Sequence, residues 1–99
     1  MGEEISFETM IARRADLMVS ELSPNELVML NIERGSYYGM EETAKAIWDL
    51  LSEPRSVAAL VDPLLTRFAV DRPTCEREVL AFVNEMLQDE LVQVVDGSV

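Results

Sequence analysis

The sequence predicts an α+β domain, a small antiparallel sheet with helices packed to one side, and two observations carry that prediction. Strand and turn signals fill the front half of the chain, and apolar stripes of helical period fill the back half. With 99 residues there is one modest core to bury, so a single domain spanning 1–99 is expected. Its core falls at about 15–95, with 1–14 as an N-terminal extension or an extra strand.

Residues 5–14 mix apolar and polar side chains without a clear period, and 17–22 read as a short strand. Ser23-Pro24-Asn25 is turn chemistry, because proline presets φ and asparagine tolerates the left-handed region. Residues 27–32 form a nearly continuous apolar run suited to a buried strand. Glu33-Arg34-Gly35, with Gly35 able to supply positive φ, then leads into the aromatic stretch Ser36-Tyr37-Tyr38-Gly39-Met40. Strand, short glycine-bearing loop and strand make a β-hairpin.

Beyond it, Ala44, Ile47, Trp48 and Leu51 fall at i, i+3, i+4 and i+7, one face of a helix whose first turn would hold Glu41 and Glu42. Ser52-Glu53-Pro54-Arg55 breaks that helix, and Ser56 is placed to cap a second one bearing Val57, Leu60, Val61, Leu64, Leu65 and Phe68. Pro63 cannot donate to the carbonyl of Ala59, so a kink is expected there rather than a stop and restart capped by Asp62. Asp71-Arg72-Pro73-Thr74 opens the third helix, with Thr74 the expected cap. Its apolar residues Val79, Leu80, Phe82, Val83, Met86 and Leu87 cover more than one stripe, which suggests two contacts, one with the core and one elsewhere. Residues 91–95 read as a closing strand.

Composition excludes several function classes. The net charge is −11 and Lys45 is the only lysine, which argues against nucleic acid and against anionic membranes. The helix pair joined by 69–73 resembles a helix-turn-helix with a following wing, but Glu76, Glu78, Glu85 and Asp89 against Arg77 are the wrong charges for phosphate. Histidine is absent and glycine stands only at 2, 35, 39 and 97, so neither the usual general base nor a phosphate-cradling loop is at hand. No enzyme activity, metal or cofactor is expected. Cys75 is the lone cysteine and reads as a plain buried thiol. Glu3 and Glu4 stand where a secretory signal needs positive charge, and no apolar run is long enough to span a bilayer, so a cytoplasmic protein is expected.

One feature suggests binding. In a meander the stretch 36–40 lies at a sheet edge, and edges are normally blunted by charge, proline or a covering element. This one carries none of these, and Gly39 lets another backbone approach closely. Such an edge suits β-augmentation by an extended peptide. Spacing alone leaves equally open that Tyr37 and Tyr38 simply straddle the sheet, and it favours contact of the third helix's surplus apolar residues with the other helices over a groove wall.

The run Leu27-Val28-Met29-Leu30-Asn31-Ile32-Glu33-Arg34-Gly35-Ser36-Tyr37-Tyr38-Gly39-Met40, followed by Ala44, Ile47, Trp48 and Leu50-Leu51, resembles the PqqD-like family. Members are recognition elements for ribosomally made, modified peptides, and this pattern is most similar to the stand-alone proteins of lasso-peptide pathways. The resemblance covers about 15–95. It implies a winged-helix-like fold of three antiparallel strands followed by three helices, with a precursor's leader peptide lying antiparallel on the third strand against the third helix. It also implies presentation to a separate leader protease working with a cyclase, in a bacterial-type cytoplasmic pathway. Carried onto this chain, the peptide-binding residues would be Arg34, Ser36, Tyr37, Tyr38, Gly39 and Met40 on the hairpin and Cys75, Glu76, Val79, Leu80 and Val83 on the helix. Two departures stand out: Met40-Glu41 replaces the family's Leu-Asn helix start, and Pro63 sits within the second helix. The competing readings are a carrier for another modified peptide, such as the precursor of the quinone cofactor PQQ, and a winged-helix regulator acting through protein contacts. The open edge also permits a monomer to pair weakly with its own copy.

Overall fold

The computed structural model describes residues 5–95, so Glu3 and Glu4 lie outside the described residues. Its strands are β1 (Met10–Arg13), β2 (Leu17–Ser23), β3 (Glu26–Asn31), β4 (Ser36–Glu41), β5 (Arg55–Ser56) and β6 (Val92–Val94). The helices are α1 (Thr43–Leu50), α2 (Val61–Arg67) and α3 (Arg72–Gln88), with a 3-10 turn over Ala58–Leu60. The fold is α+β, as expected.

Strands β2, β3 and β4 form the expected antiparallel meander, in that order. Pro24 and Asn25 make a two-residue turn, and Asn25 needs no positive φ, whereas Gly35 takes φ 67° to close the second hairpin. Leu27 and Met29 point inward opposite Met40 and Tyr38, and Asn31 lies opposite Ser36. A second sheet, not foreseen, has the order β5-β1-β6. Ile11 pairs with both Arg55 and Val94 and is fully buried, so the stretch before residue 15 supplies a core strand. The strand after α3 therefore joins a sheet with β1.

Three helix-start expectations need correction. Glu41 ends β4 and Glu42 precedes α1 with φ 54°, so neither acid occupies the first turn. The cause is that the Glu42 N–H donates to the Asn25 carbonyl at 3.1 Å, which extends strand pairing to residue 42. Pro63 does not kink a continuous helix. The 3-10 turn leads into α2 so that Pro63 falls in its first turn, where a missing N–H costs nothing. Ser56 Oγ does accept the Ala59 N–H at 3.2 Å, as a cap would. At α3 the cap is Asp71, not Thr74: Asp71 accepts from the Thr74 N–H at 3.1 Å and from the Thr74 hydroxyl at 2.9 Å. These bonds hold the Asp71 carboxyl below its ordinary range.

The core gathers Leu27, Met29 and Met40 from the meander, Ile47, Trp48 and Leu51 around α1, and Leu60, Val61 and Leu64 around α2. Val79, Val83 and Met86 come to it from α3. Two cations fasten α1 to the strands. Arg13 donates to the Trp48 carbonyl at 3.1 Å with its guanidinium 4.5 Å over the indole, and Lys45 bridges Glu21 (3.1 Å) and Asp49 (2.8 Å). The Asp49 hydrogen bond, opposed by desolvation, raises the Lys45 ammonium pKa, so the only lysine is a structural clamp. Among the described residues no helix is long and apolar enough to cross a membrane.

Candidate peptide-binding site

Among the described residues β4 pairs on one side only, with β3. Antiparallel neighbours alternate between hydrogen-bonded and non-bonded pairs. Since Glu42 bonds to Asn25, the same phase makes Met40, Tyr38 and Ser36 the residues that bond to β3. Tyr37, Gly39 and Glu41 then direct their N–H and C=O groups to the free side. That side offers the ladder an added strand needs. Gly39 is exposed and a Cβ built there meets nothing within 4 Å, so the outer face is open at this point of the strand.

The side chains of this strand divide by parity. Met40 is buried, Tyr38 and Ser36 are half-buried on the inner face, and Tyr37 stands out on the other face. Both readings of the tyrosines therefore hold: they straddle the sheet, and they do so on an open edge.

One residue past β4, at Glu42, the chain turns into α1, and there a partly open cavity of about 240 Å³ lies among the three helices. Thr43, Ala44 and Ile47 wall it from α1, Leu64 and Phe68 from α2 and its C-terminal cap, and Cys75, Glu78, Val79 and Phe82 from α3, with Val70 between. Its lining is apolar apart from Thr43 and Glu78. Burial above all, and then the Glu78 carboxylate, push the Cys75 thiol up, so it is a wall and not a nucleophile.

The sequence-predicted residues thus divide. Cys75 and Val79 come together in the cavity wall. Glu76 instead pairs with Arg72 at 3.6 Å, Leu80 is half-buried against the core, and Val83 is fully buried. Arg34 donates to the Gln88 carbonyl at 2.8 Å, fastening the hairpin loop to the end of α3. Sequence reasoning missed Thr43, Ala44, Glu78 and Phe82 as neighbours of one space. Phe82 belonged to the apolar surplus of α3, and its meeting with Ala44 is purely tertiary.

An antiparallel strand beside β4 would start near α1 and finish near Ser36. The cavity therefore lies at the N-terminal end of any such strand, positioned for an apolar side chain, and burying one fully is worth about 1.5–3 kcal/mol.

Comparisons with known proteins bear on the fold and the family. A solved structure described as "TbiB1 in Complex with the TbiA(beta) Leader Peptide" has TM-score 0.75 and 27% identity, covering 89% of this chain and 98% of that one. A second, "Lasso peptide synthetase B1 complexed with the leader peptide", shares the fold at TM-score 0.73 and 23% identity, covering 84% and 96%. No curated protein matches. The family described as "Coenzyme PQQ synthesis protein D (PqqD)" matches residues 26–92, two thirds of the sequence and every strand and helix from β3 through α3, and the chain belongs to that family.

Proposed function

We propose that this single domain binds the leader segment of a ribosomally made precursor as an added strand on β4, with an apolar leader side chain in the helix cavity. It presents that precursor to a separate leader protease, working with a cyclase, in a cytoplasmic lasso-peptide pathway. The observation that carries the reading is the free ladder of Tyr37, Gly39 and Glu41 running directly to the cavity beside Thr43 and Ala44. The likeness to a structure solved with a leader peptide supports it. The proposed contacts are Ser36, Tyr37, Tyr38 and Gly39 on the strand, with Cys75 and Val79 on α3; Glu76 and Leu80 stand at the margin, and the buried Met40 and Val83 support the site from the core. Arg34 supports them by holding the hairpin to α3. In this reading the chain supplies no catalysis. A carrier role toward a PQQ precursor is the second reading, favoured by the family match.

Calorimetric titration with synthetic leaders from both kinds of pathway tests the proposal. Trp48 is buried beneath Arg13, which makes its fluorescence a poor reporter. Binding of a lasso-type leader at micromolar Kd or tighter is expected; no binding of any leader at ~100 μM would overturn the proposal.

A further inference from the structure

Three features converge on the last rung of β4. Glu42 takes φ 54° and ψ −118°, the values of the first central position of a type II′ turn, where glycine dominates because a Cβ is poorly tolerated. Glu41 lies directly across from Glu26, a like-charge pair that weakens pairing at that end of the sheet. No side chain caps α1, which starts at the next residue after Glu42. The backbone of Glu42 is nevertheless pinned from both sides. Its N–H donates to the Asn25 carbonyl at 3.1 Å, and its carbonyl accepts the Ala46 N–H at 3.0 Å. A strained residue persists only where its surroundings over-determine it, and on the strand side a single bond, to Asn25, does so here.

We infer that Glu42 is a joint with two settings and that it positions the end of the leader-binding edge, an inference that rests on the leader-binding reading above. In the extended setting, seen in the structure, β4 runs through Glu41, whose N–H and C=O complete the free ladder after Tyr37 and Gly39. In the relaxed setting Glu42 turns to negative φ and its bond to Asn25 opens. Glu41 then leaves Glu26, and both acids enter the first turn of α1, where the helix dipole favours them. The edge loses its last rung, and Thr43 and Ala44, which wall the cavity, move with the chain. A leader strand that bonds to Glu41 binds the extended setting alone, so it draws the joint to that side by its differential affinity. The apparent Kd is then the intrinsic one divided by the extended fraction. Leaders too short to reach Glu41 are indifferent to the joint, which makes it a length gauge at the N-terminal end of the bound segment.

Substitution at 42 separates the settings, using the full chain and a synthetic lasso-type leader in calorimetry. Glu42→Val favours the relaxed setting, because a β-branched residue resists positive φ, and should weaken leader binding roughly three- to tenfold. Glu42→Gly removes the strain and should raise the thermal midpoint. Its gain in affinity is held to about twofold, since the extended setting is already the major one. Both effects on affinity should vanish for leaders shortened from the N-terminus until they no longer reach Glu41. In the unaltered chain the Glu42 amide should exchange with solvent about tenfold faster than that of Met40, and saturating leader should remove the difference. A folded Glu42→Val chain with parental affinity, or a loss that persists through the shortened series, overturns the joint while leaving strand addition on β4 intact. So does a Glu42 amide as well protected as that of Met40 without leader. A wild-type chain that binds no leader overturns the leader-binding reading, and the joint's role with it.

Discussion

Asn31, the last residue of β3, donates its side-chain amide to the Glu90 carbonyl beyond α3 at 3.3 Å, and it is only 2% exposed. Its side-chain oxygen accepts the Arg34 N–H at 3.2 Å, so one buried amide joins the β3–β4 loop to the end of α3. Those are the two elements on either side of the proposed leader groove. Asn31→Ala should cost about 1–3 kcal/mol, because it removes two hydrogen bonds worth about 0.5–1.5 kcal/mol each. Urea unfolding checks this, and leader affinity should fall with it as the hairpin loosens from α3. Stability within a few tenths of the parent would show the clamp to be idle.

Gly39→Pro isolates the free edge. The Gly39 N–H points away from β3, so the substitution removes a donor for an added strand without breaking the existing ladder. Leader affinity should drop roughly tenfold or more, about 1.4 kcal/mol, while circular dichroism stays that of the parent. A folded variant with full affinity would mean that the leader binds elsewhere.

Ala44→Phe fills the cavity from the α1 side. The half-buried Ala44 lines that space, and a phenyl ring placed there competes with a leader side chain. The loss should match the burial of one apolar side chain, about 1.5–3 kcal/mol, read by calorimetry. The variant's thermal midpoint should hold or rise, since the ring gains contacts in the free protein.

The meander and the helix stripes were legible because their signals are local: a two-residue turn, Gly35 at positive φ, and Ile47, Trp48 and Leu51 on one face. The second sheet was not, because Ile11 pairs with Arg55 and Val94 across more than forty residues and no short stretch announces it. The end of α3 hides for another reason. Glu90 takes φ 61° in a closing motif where Leu91 N–H bonds to Met86 O at 2.9 Å, a place where glycine is the usual sign. At the candidate site the edge strand could be read from 36–40, but the cavity could not. Ala44, Phe68 and Phe82 each look like ordinary core residues until three helices bring them to one space.

Cys75 offers a probe of that space that needs no substitution. Burial, with Glu78 beside it, raises its thiol above the ordinary value of 9.0, so the protonated form is favoured in the folded chain. The sign of the linkage follows: this contribution to stability is full below pH 9.0 and is lost as pH rises through the folded value. Alkylation by iodoacetamide near pH 8 should therefore be much slower than for a free thiol and should accelerate on the alkaline side. Because Cys75 lines the cavity, a saturating leader should slow it further. A leader that binds by calorimetry yet leaves the alkylation rate untouched would place its apolar side chain outside this cavity, keeping strand addition on β4 but removing the helices from the site.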